Sequence, residues 1–259
     1  MLELYHWAPN GPWLKPLIVL AEKDIDCTFH PLDVLAFEQY GPAVPAPTLE
    51  TRLNPEGEGP LLVHDGRQLT ESFFICEYLD TVFEGLALRP THPVAFNRML
   101  TWARFINEVL MPAVNTLGCQ RYLAPALAGK AAPPARILDR IALSFVRDGW
   151  LRAYSADYSE EMLAESRRKI GIALQRMEAA LADGPWLLGG RYSLTDIDAF
   201  AICRSLPLLM PQLMAEHPNC GKWIGRMEAR PAVRQSLTVG NWEHPETAFA
   251  PGPEHARWG

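Results

Sequence analysis

Glu71 and Ser72 have the side chains and the position needed to bind a ligand that carries both an amine and a carboxylate. The residues that follow predict a helix beginning near Thr70, which places the pair in its first turn. The start of a helix presents free backbone N–H groups and a positive dipole end to an anion. The Ser72 hydroxyl can donate to a carboxylate, and the Glu71 carboxylate can accept from an amine. These groups fit a γ-glutamyl moiety, although such residues also favour a first turn without any ligand.

A short hairpin is predicted directly before this helix. Residues 61–64 and 67–69 are strand-like, and Asp65-Gly66 between them is typical of a tight hairpin turn. Pro60 stands at the start of the first strand, after Gly59. Because proline has no N–H group to donate to a ladder, this position suits either a sheet edge or a cis turn that leaves backbone groups free for a ligand.

Several short motifs occur in order along the chain. They are Leu4-Tyr5, Leu14-Lys15-Pro16-Leu17, Phe37-Glu38-Gln39, Thr70-Glu71-Ser72, Ile75-Cys76-Glu77-Tyr78-Leu79, Leu88-Arg89-Pro90, Tyr192-Ser193-Leu194-Thr195-Asp196-Ile197 and Ala229-Arg230-Pro231-Ala232. From Leu2 to about Val233 the chain thereby resembles cytosolic-type glutathione transferases. Within that superfamily it is most similar to bacterial β-etherases, which cleave aryl ether linkages of lignin-derived aromatic compounds.

The resemblance implies glutathione as co-substrate, with no metal. The glutathione-binding residues that it implies are Lys15, Gln39, Gly59, Pro60, Glu71 and Ser72. Gly59 departs from the family, in which valine usually precedes this proline, but its backbone groups can still pair with the cysteinyl part of glutathione. Lys15 and Gln39 are candidates for binding the glycyl carboxylate, and a solvated surface position is the alternative for each.

In this family the glutathione sulfur is the nucleophile, and a thiol of pKa ~8.5 needs help to be mostly ionised at neutral pH. Many members supply it from a Tyr, Ser or Cys in the loop after the first strand. Here residues 6–13 contain no hydroxyl or thiol. Asn10 aligns with the serine of serine-using relatives and can donate from its amide nitrogen, which makes it the catalytic candidate. The alternative is that Asn10-Gly11-Pro12 is only a turn.

Aromatic residues could wall an apolar pocket for the second substrate. The candidates are Trp7, Trp13, Trp102, Phe105, Trp150 and Tyr154. For most of them an ordinary core position is the simpler interpretation. Trp7 and Trp13 are the preferred substrate-binding residues, because the first loop of this fold faces the cleft. Trp13 stands where some β-etherases have serine.

The composition excludes several kinds of partner. With 48% hydrophobic and 21% charged residues, the chain has the composition of an ordinary globular protein. Its net charge of −6 argues against nucleic acid, which needs clustered Lys and Arg. A basic leader and an apolar run of about 18 residues are both absent from the sequence, so that we expect no membrane partner and a cytoplasmic location.

Neither a metal centre nor a disulfide framework is expected. The five cysteines form no Cys-x-x-Cys pair, and most of them are expected to be small buried residues. None lies in the first loop, which disfavours disulfide exchange. His6, His30 and His64 lack the spacing of metal ligands.

The pattern of apolar residues divides the chain into an α/β part and an all-helical part. Residues 2–5, 14–23 and 27–32 predict a βαβ unit, which the hairpin and the following helix continue as ββα. The fold is predicted as a thioredoxin-like βαβαββα domain followed by a helical bundle, as in glutathione transferases. The predicted divisions are a glutathione-binding domain at 1–84, a linker at 85–93, a helical domain at 94–240 and an irregular tail at 241–259.

Further features are predicted within this frame. The proline-rich residues 41–47 are expected to form an irregular loop over the ligand cleft, and residues 124–134 a break between helices. Ser193 and Asp196 resemble a capping box for a helix beginning near Leu194. The last amphipathic helix is expected to end at Arg230-Pro231.

The resemblance implies an enzyme that cleaves β-aryl ethers of aromatic ketones by attack of the glutathione thiolate and release of a phenolate. One alternative is a weakly active or structural subunit that works only with a related partner. Another is conjugation of glutathione to a different electrophile, because a fold does not fix its substrate. A homodimer or a heterodimer with a related subunit is expected.

Overall fold

The N-terminal part of the chain forms a four-stranded mixed sheet in a computed structural model, which describes residues 1–40, 59–141 and 143–252. The strands are β1 (Leu2–His6), β2 (Thr28–Pro31), β3 (Leu61–His64) and β4 (Arg67–Leu69), in the order β2-β1-β3-β4. β1 runs parallel to β2 and antiparallel to β3, and β3 pairs with β4 through the predicted hairpin. This topology confirms the thioredoxin-like prediction.

Two helices pack on this sheet and position the first loop and the candidate ligand residues. Helix α1 (Leu14–Glu22) is buried over most of its length, and α2 (Ser72–Val82) packs beside it. Between β2 and β3 the described residues form only the single turns Val34–Ala36 and Glu38–Tyr40. The predicted proline-rich loop at 41–47 lies outside the described residues.

The Gly59–Pro60 peptide bond is cis. Pro60 precedes β3, which lies between β1 and β4, so the cis turn was the correct alternative and the sheet edge was wrong.

A helical bundle follows the sheet, as predicted. Its helices are α3 (Pro93–Phe105), α4 (Met111–Gly118), α5 (Ala124–Leu127), α6 (Ala135–Leu138), α7 (Ser144–Ser155), α8 (Glu160–Ala182), α9 (Leu194–Cys203), α10 (Leu206–Leu209), α11 (Pro211–Ala215), α12 (Pro218–Glu228) and α13 (Pro231–Leu237). The π-helical turns Ile106–Leu110 and Cys119–Leu123 join α3, α4 and α5 into one continuous helical stretch. Helix α9 is buried on every side and begins with the predicted capping box of Ser193 and Asp196.

Several predicted boundaries need correction. The break expected at 124–134 begins only after α5, because the helical stretch continues through the π-helical turn Cys119–Leu123 and past Pro125. The amphipathic helix around Trp223 is α12, which ends at Glu228, close to the predicted Arg230-Pro231, but it is not the last helix, because Pro231 opens α13.

The C-terminal strap, defined as residues 242–252, is irregular apart from the single turn Pro245–Thr247, as predicted for a tail. It nevertheless packs on the molecule: Phe249 is only 5% exposed and belongs to the hydrophobic core. The strap thereby reaches the first loop, 238 residues away in sequence.

Candidate active site

A cleft lies between the sheet domain and the helical bundle. Its walls are the first loop, the turns at 34–40, Gly59, helices α4 and α7, and the C-terminal strap. The space inside it that water-sized spheres can reach amounts to about 50 Å³. Of the predicted glutathione-binding residues, Gln39 and Gly59 line this cleft, whereas Pro60, Glu71 and Ser72 are not among its lining residues.

Asn10 lies buried in this cleft, with its side chain already oriented by the protein. Its Nδ2 donates to the carbonyl oxygen of Ala248 over 2.9 Å, and its Oδ1 lies 3.2 Å from the Ser205 hydroxyl, whose single hydrogen it shares with the nearer Glu246 carbonyl oxygen. An amide nitrogen has two hydrogens, and Ala248 takes one of them. The second hydrogen leaves Asn10 able to donate one more hydrogen bond, as a donor to the glutathione sulfur would have to.

Trp13 and Gly59 occupy one shared space. A Cβ atom added at Gly59 would stand 1.8 Å from Cη2 of Trp13, so the indole fills the volume of a side chain at position 59. This contact explains two departures from the family at once, because the tryptophan at position 13 requires the glycine at position 59.

The indole rings of the first loop line the cleft as predicted for a substrate pocket. Trp7 is 3% exposed and meets Trp13 edge to face, with ring centroids 6.5 Å apart. Trp150 of α7 also lines the cleft. The Trp7 Nε1–H group is buried and has no hydrogen-bond partner among the described residues, so that this apolar wall contains a polar donor.

The other aromatic candidates lie elsewhere. Trp102 and Phe105 pack edge to face under the guanidinium of Arg176. Tyr154 belongs to a separate surface depression beside Lys130. Trp102 and Phe105 are half-buried against the edge of the core and do not line the cleft.

Glu71 and Ser72 stand at the start of α2, as predicted. Glu71 has φ 66° and ψ 104°, a conformation that costs a non-glycine residue energy and that is concentrated at functional sites. Its carboxylate does not cap α2, and the side chain reaches solvent. Partial burial raises the pKa of this carboxyl above its ordinary value, and the charge of Lys15 opposes the shift. The carboxylate is thus available to a ligand amine, and the next residue, Ser72, is largely buried.

Lys15 does not face the cleft. Its ammonium is fully buried, 2.7 Å from Asp198 Oδ1 and 2.6 Å from Asn107 Oδ1. The surface alternative for Lys15 is therefore wrong, and two partners already bind the group that was expected to hold a glycyl carboxylate. The pKa of Asp198 lies above its ordinary value, because the effect of burial exceeds the lowering by the charge of Lys15 and by the hydrogen bonds from Lys15 and Asn107.

Gln39 is also buried, at 4% exposure, and lines the cleft, so that the surface alternative is wrong for this residue too. Its Oε1 has no hydrogen-bond partner in the part of the chain that the structure describes. Gln39 therefore retains unused hydrogen-bonding capacity inside the cleft.

The sequence analysis missed the C-terminal strap, whose residues Ala248 and Phe249 line the cleft. One signal was present. Gly118 and Gly149 lie within helical segments, where glycine is unfavourable unless a neighbour approaches closely. In the structure Phe249 packs on Gly118 and Pro251 on Gly149.

All five cysteines are free, and Cys76, Cys119, Cys203 and Cys220 are buried, as expected for most of them. Among the described residues no group of three or more His, Cys, Asp or Glu side chains is arranged to hold a metal ion. The same part of the chain contains no helix that is both long and apolar enough to span a membrane.

The chain is similar to glutathione transferases in both sequence and fold. Residues 12–86 match the family model of the N-terminal domain of glutathione S-transferase, and residues 137–231 match that of the C-terminal domain. Protein LigF of Sphingobium sp. (strain NBRC 103272 / SYK-6) is 32% identical over 90% of this chain and 92% of its own length. The crystal structure of Beta-etherase LigF superposes with a TM-score of 0.80 at 30% identity, covering 91% of this chain and 98% of LigF.

Two further relatives show the range of the resemblance. The tetrachloro-p-hydroquinone reductive dehalogenase of Sphingobium chlorophenolicum is 24% identical over 93% of this chain and 98% of its own length. A glutathione transferase family member from Pseudomonas fluorescens pf-5, crystallised with two glutathione bound, has the same fold, with a TM-score of 0.68 at 19% identity over 91% of this chain and 92% of its own.

Proposed function

The chain belongs to the glutathione S-transferase family, and from that premise we propose that it cleaves β-aryl ethers of aromatic ketones with glutathione. The observation that carries the proposal is the likeness to LigF, a β-etherase, over nine-tenths of the chain in sequence and in structure. The aromatic cleft supports it, because Trp7, Trp13 and Trp150 provide planar walls for an aryl group beside Asn10.

In the proposed complex, glutathione lies along the start of α2 and the cis-Pro60 turn. Glu71 accepts from the ligand's amine, and Ser72 with the N-terminus of α2 holds its γ-glutamyl carboxylate. The backbone of Gly59 pairs with the cysteinyl part, and Gln39 offers its unpaired amide oxygen at the cleft wall as an acceptor. We do not assign Lys15 to this site, because Asp198 and Asn107 already hold its ammonium.

The proposed reaction is a displacement at the carbon beside the ketone. The remaining amide hydrogen of Asn10 stabilises the glutathione thiolate. The sulfur forms a bond to the carbon that bears the aryloxy group, and the carbon–oxygen bond breaks, leaving a thioether and a phenolate. The ketone activates that carbon, so that holding both substrates in line supplies much of the acceleration. The electrons of the broken bond leave with the phenolate, and the reaction needs no redox partner.

A structural or weakly active subunit is the second candidate. The observation that favours it is the Trp13 indole packed on Gly59, the residue that would pair with the cysteinyl part of glutathione. In that case the chain would act only beside a related subunit in a heterodimer. In either case a dimer is proposed by family resemblance.

The test is release of phenol from a racemic β-aryloxy ketone with glutathione, measured for the chain alone and then mixed with a related subunit. Phenol and glutathione thioether appearing in equal amounts with the chain alone support the proposed function. Release only in the mixture, with the partner inactive by itself, supports the second candidate. No release in either assay would contradict both ether-cleaving proposals and leave conjugation of another electrophile.

A further inference from the structure

We propose that the C-terminal strap is a wall of the pocket for the second substrate and that the Phe249 side chain sets the size of the electrophile accepted there. The inference deepens the proposed function and rests on it for the identity of the electrophile. It extends the site to residues that follow the last helix, beyond the segments that the family models match.

The strap is held to the molecule by polar contacts from two directions. Ser205, just after α9, donates from its hydroxyl to the Glu246 carbonyl oxygen over 2.8 Å. Arg204 Nη2 lies 3.1 Å from Glu246 Oε2. From the first loop, Asn10 donates to the Ala248 carbonyl oxygen over 2.9 Å. The strap is therefore fixed against the residue proposed to hold the sulfur.

Two helices make close apolar contacts with the strap at glycine residues. A Cβ atom at Gly118, the last residue of α4, would lie 2.3 Å from the Phe249 ring, and one at Gly149 of α7 would lie 2.9 Å from Cβ of Pro251. Glycine in a helix costs roughly 0.5–1 kcal/mol relative to alanine. Close packing of the strap gives both glycines a structural reason.

Aromatic packing places Phe249 in the cleft. Its ring is stacked on that of Tyr122, with 7° between the planes and 6.1 Å between the centroids. At the other end of the strap, Trp242 meets Trp7 edge to face at 5.7 Å. The Phe249 ring, packed on α4 at Gly118, lines the cleft and thereby limits the volume left for an aryl substrate.

The test compares a small and a bulky electrophile, phenoxy and naphthyloxy ethers of the same ketone. Phe249→Ala removes the ring, and we expect the ratio of kcat/KM for the bulky over the small ether to rise about tenfold. Gly118→Ala pushes the ring off α4 and into the cleft, so that the ratio is expected to fall. Gly171→Ala is the matched control, because this helical glycine has no atom within 4 Å of the added Cβ and the ratio should stay constant. Phe249→Leu provides a conservative variant should Phe249→Ala fail to fold.

A binding measurement separates this proposal from the proposed function. Quenching of tryptophan fluorescence by acetophenone and by 2-acetonaphthone, with S-methylglutathione present, reports pocket size without any reaction. A tenfold shift of relative affinity toward the naphthyl ketone in the Phe249 variants supports the strap proposal even if no variant cleaves an ether. Folded Phe249 and Gly118 variants with the wild-type preference in both assays would overturn it, whether or not the wild-type chain is a β-etherase.

Discussion

A single volume in the cleft is shared by Trp13 and Gly59, so that at the scale of residues these two positions act as one unit. Either of the family's usual residues alone would be a poor fit: a side chain at position 59 collides with the indole, and a small residue at position 13 leaves a cavity above Gly59. The pair defines the floor of the cleft beside the proposed cysteinyl contact.

Gly59→Ala is expected to destabilise the fold by about 1–3 kcal/mol through overpacking and to weaken glutathione binding. The reason is that the Trp13 indole must leave its place above the cis-Pro60 turn. Urea unfolding and calorimetric titration with glutathione measure the two effects.

The double variant Gly59→Ala with Trp13→Ala serves as the control. The second change makes room for the first. The loss of unfolding free energy in the double variant should therefore be smaller than the sum of the losses in the two single variants, by about 0.5–3 kcal/mol. Additive losses would show that the two positions are independent. Gly221→Ala, with no atom within 4 Å of the added Cβ, should leave glutathione binding unaffected.

Asn10 has two tasks in the structure, which can be separated. Asn10→Ala removes the proposed donor to sulfur, and we expect the pKa of the bound glutathione thiol to rise by about one unit, which corresponds to ~1.4 kcal/mol. Ser205→Ala removes a contact to Oδ1 of Asn10 and an anchor of the strap but keeps the amide N–H groups. Its effect on the thiol should be clearly smaller.

Ultraviolet titration of the thiolate in the enzyme complex distinguishes the two variants. Equal pKa shifts in both would mean that Asn10 acts only as an anchor for the strap.

At the scale of secondary-structure elements, the end of α2 is fixed to the connection that leads to α3. Asp80 of α2 accepts from Leu88 N over 2.9 Å and from Arg89 Nε over 2.8 Å, and lies 3.2 Å from Lys23 Nζ. Burial favours the protonated carboxyl, but these hydrogen bonds and charges outweigh it, so the pKa of Asp80 lies below its ordinary value. Ionised Asp80 therefore stabilises the junction between sheet domain and bundle.

Asp80→Asn is expected to cost about 3 kcal/mol at pH 7, because it leaves Lys23 buried without a compensating charge. The pKa of Asp80 is lower in the folded than in the unfolded chain, so its contribution is present above the ordinary value of 3.8 and is lost as the pH falls through the folded value. The stability difference between variant and wild type should therefore shrink below about pH 4, as followed by denaturant unfolding. Asp26→Asn, at an exposed position, is the control, and a pH-independent difference would contradict the assignment.

At the scale of the whole molecule, a buried ion pair joins the two halves of the chain. Lys15 lies on α1 beside the sheet, whereas Asp198 lies on α9 of the bundle, and both side chains are almost fully buried. Asn107 connects them by accepting from Lys15 and donating to Asp198. The cleft depends on this junction, because its walls come from both halves.

Lys15→Met is expected to destabilise the protein by about 3–5 kcal/mol, since it leaves Asp198 charged and buried without a partner. Lys15→Met combined with Asp198→Leu should recover much of that loss, because an apolar pair has no desolvation penalty. Arg168→Met removes an exposed ion pair to Glu165, which solvent screens, and should leave the stability nearly unchanged. Guanidinium unfolding compares the three, and a double variant as unstable as the single one would contradict the explanation.

Local patterns were sufficient for much of the fold. The strands 61–64 and 67–69 follow from apolar runs around Asp65-Gly66, and the start of α9 follows from the capping box of Ser193 and Asp196. Such signals lie within a few residues of the structure they specify, so they can be interpreted without knowing what packs on them. The predictions missed α5 and α13, because a proline that ends one helix can also start the next, as at Pro231, or can follow a π-helical turn, as at Pro125.

The sequence by itself determined the family, the order of the elements and the positions of Glu71, Ser72 and the Gly59–Pro60 turn, because these are specified by residue types at short spacing. Only the tertiary structure decided which long-range contacts each side chain makes. It paired Lys15 with Asp198, placed Trp13 on Gly59 and brought the C-terminal strap onto Asn10. The Asn10–Ala248 contact spans 238 residues, and it arises from the packing of α4, α7 and the segment after α9 together, which no local pattern encodes.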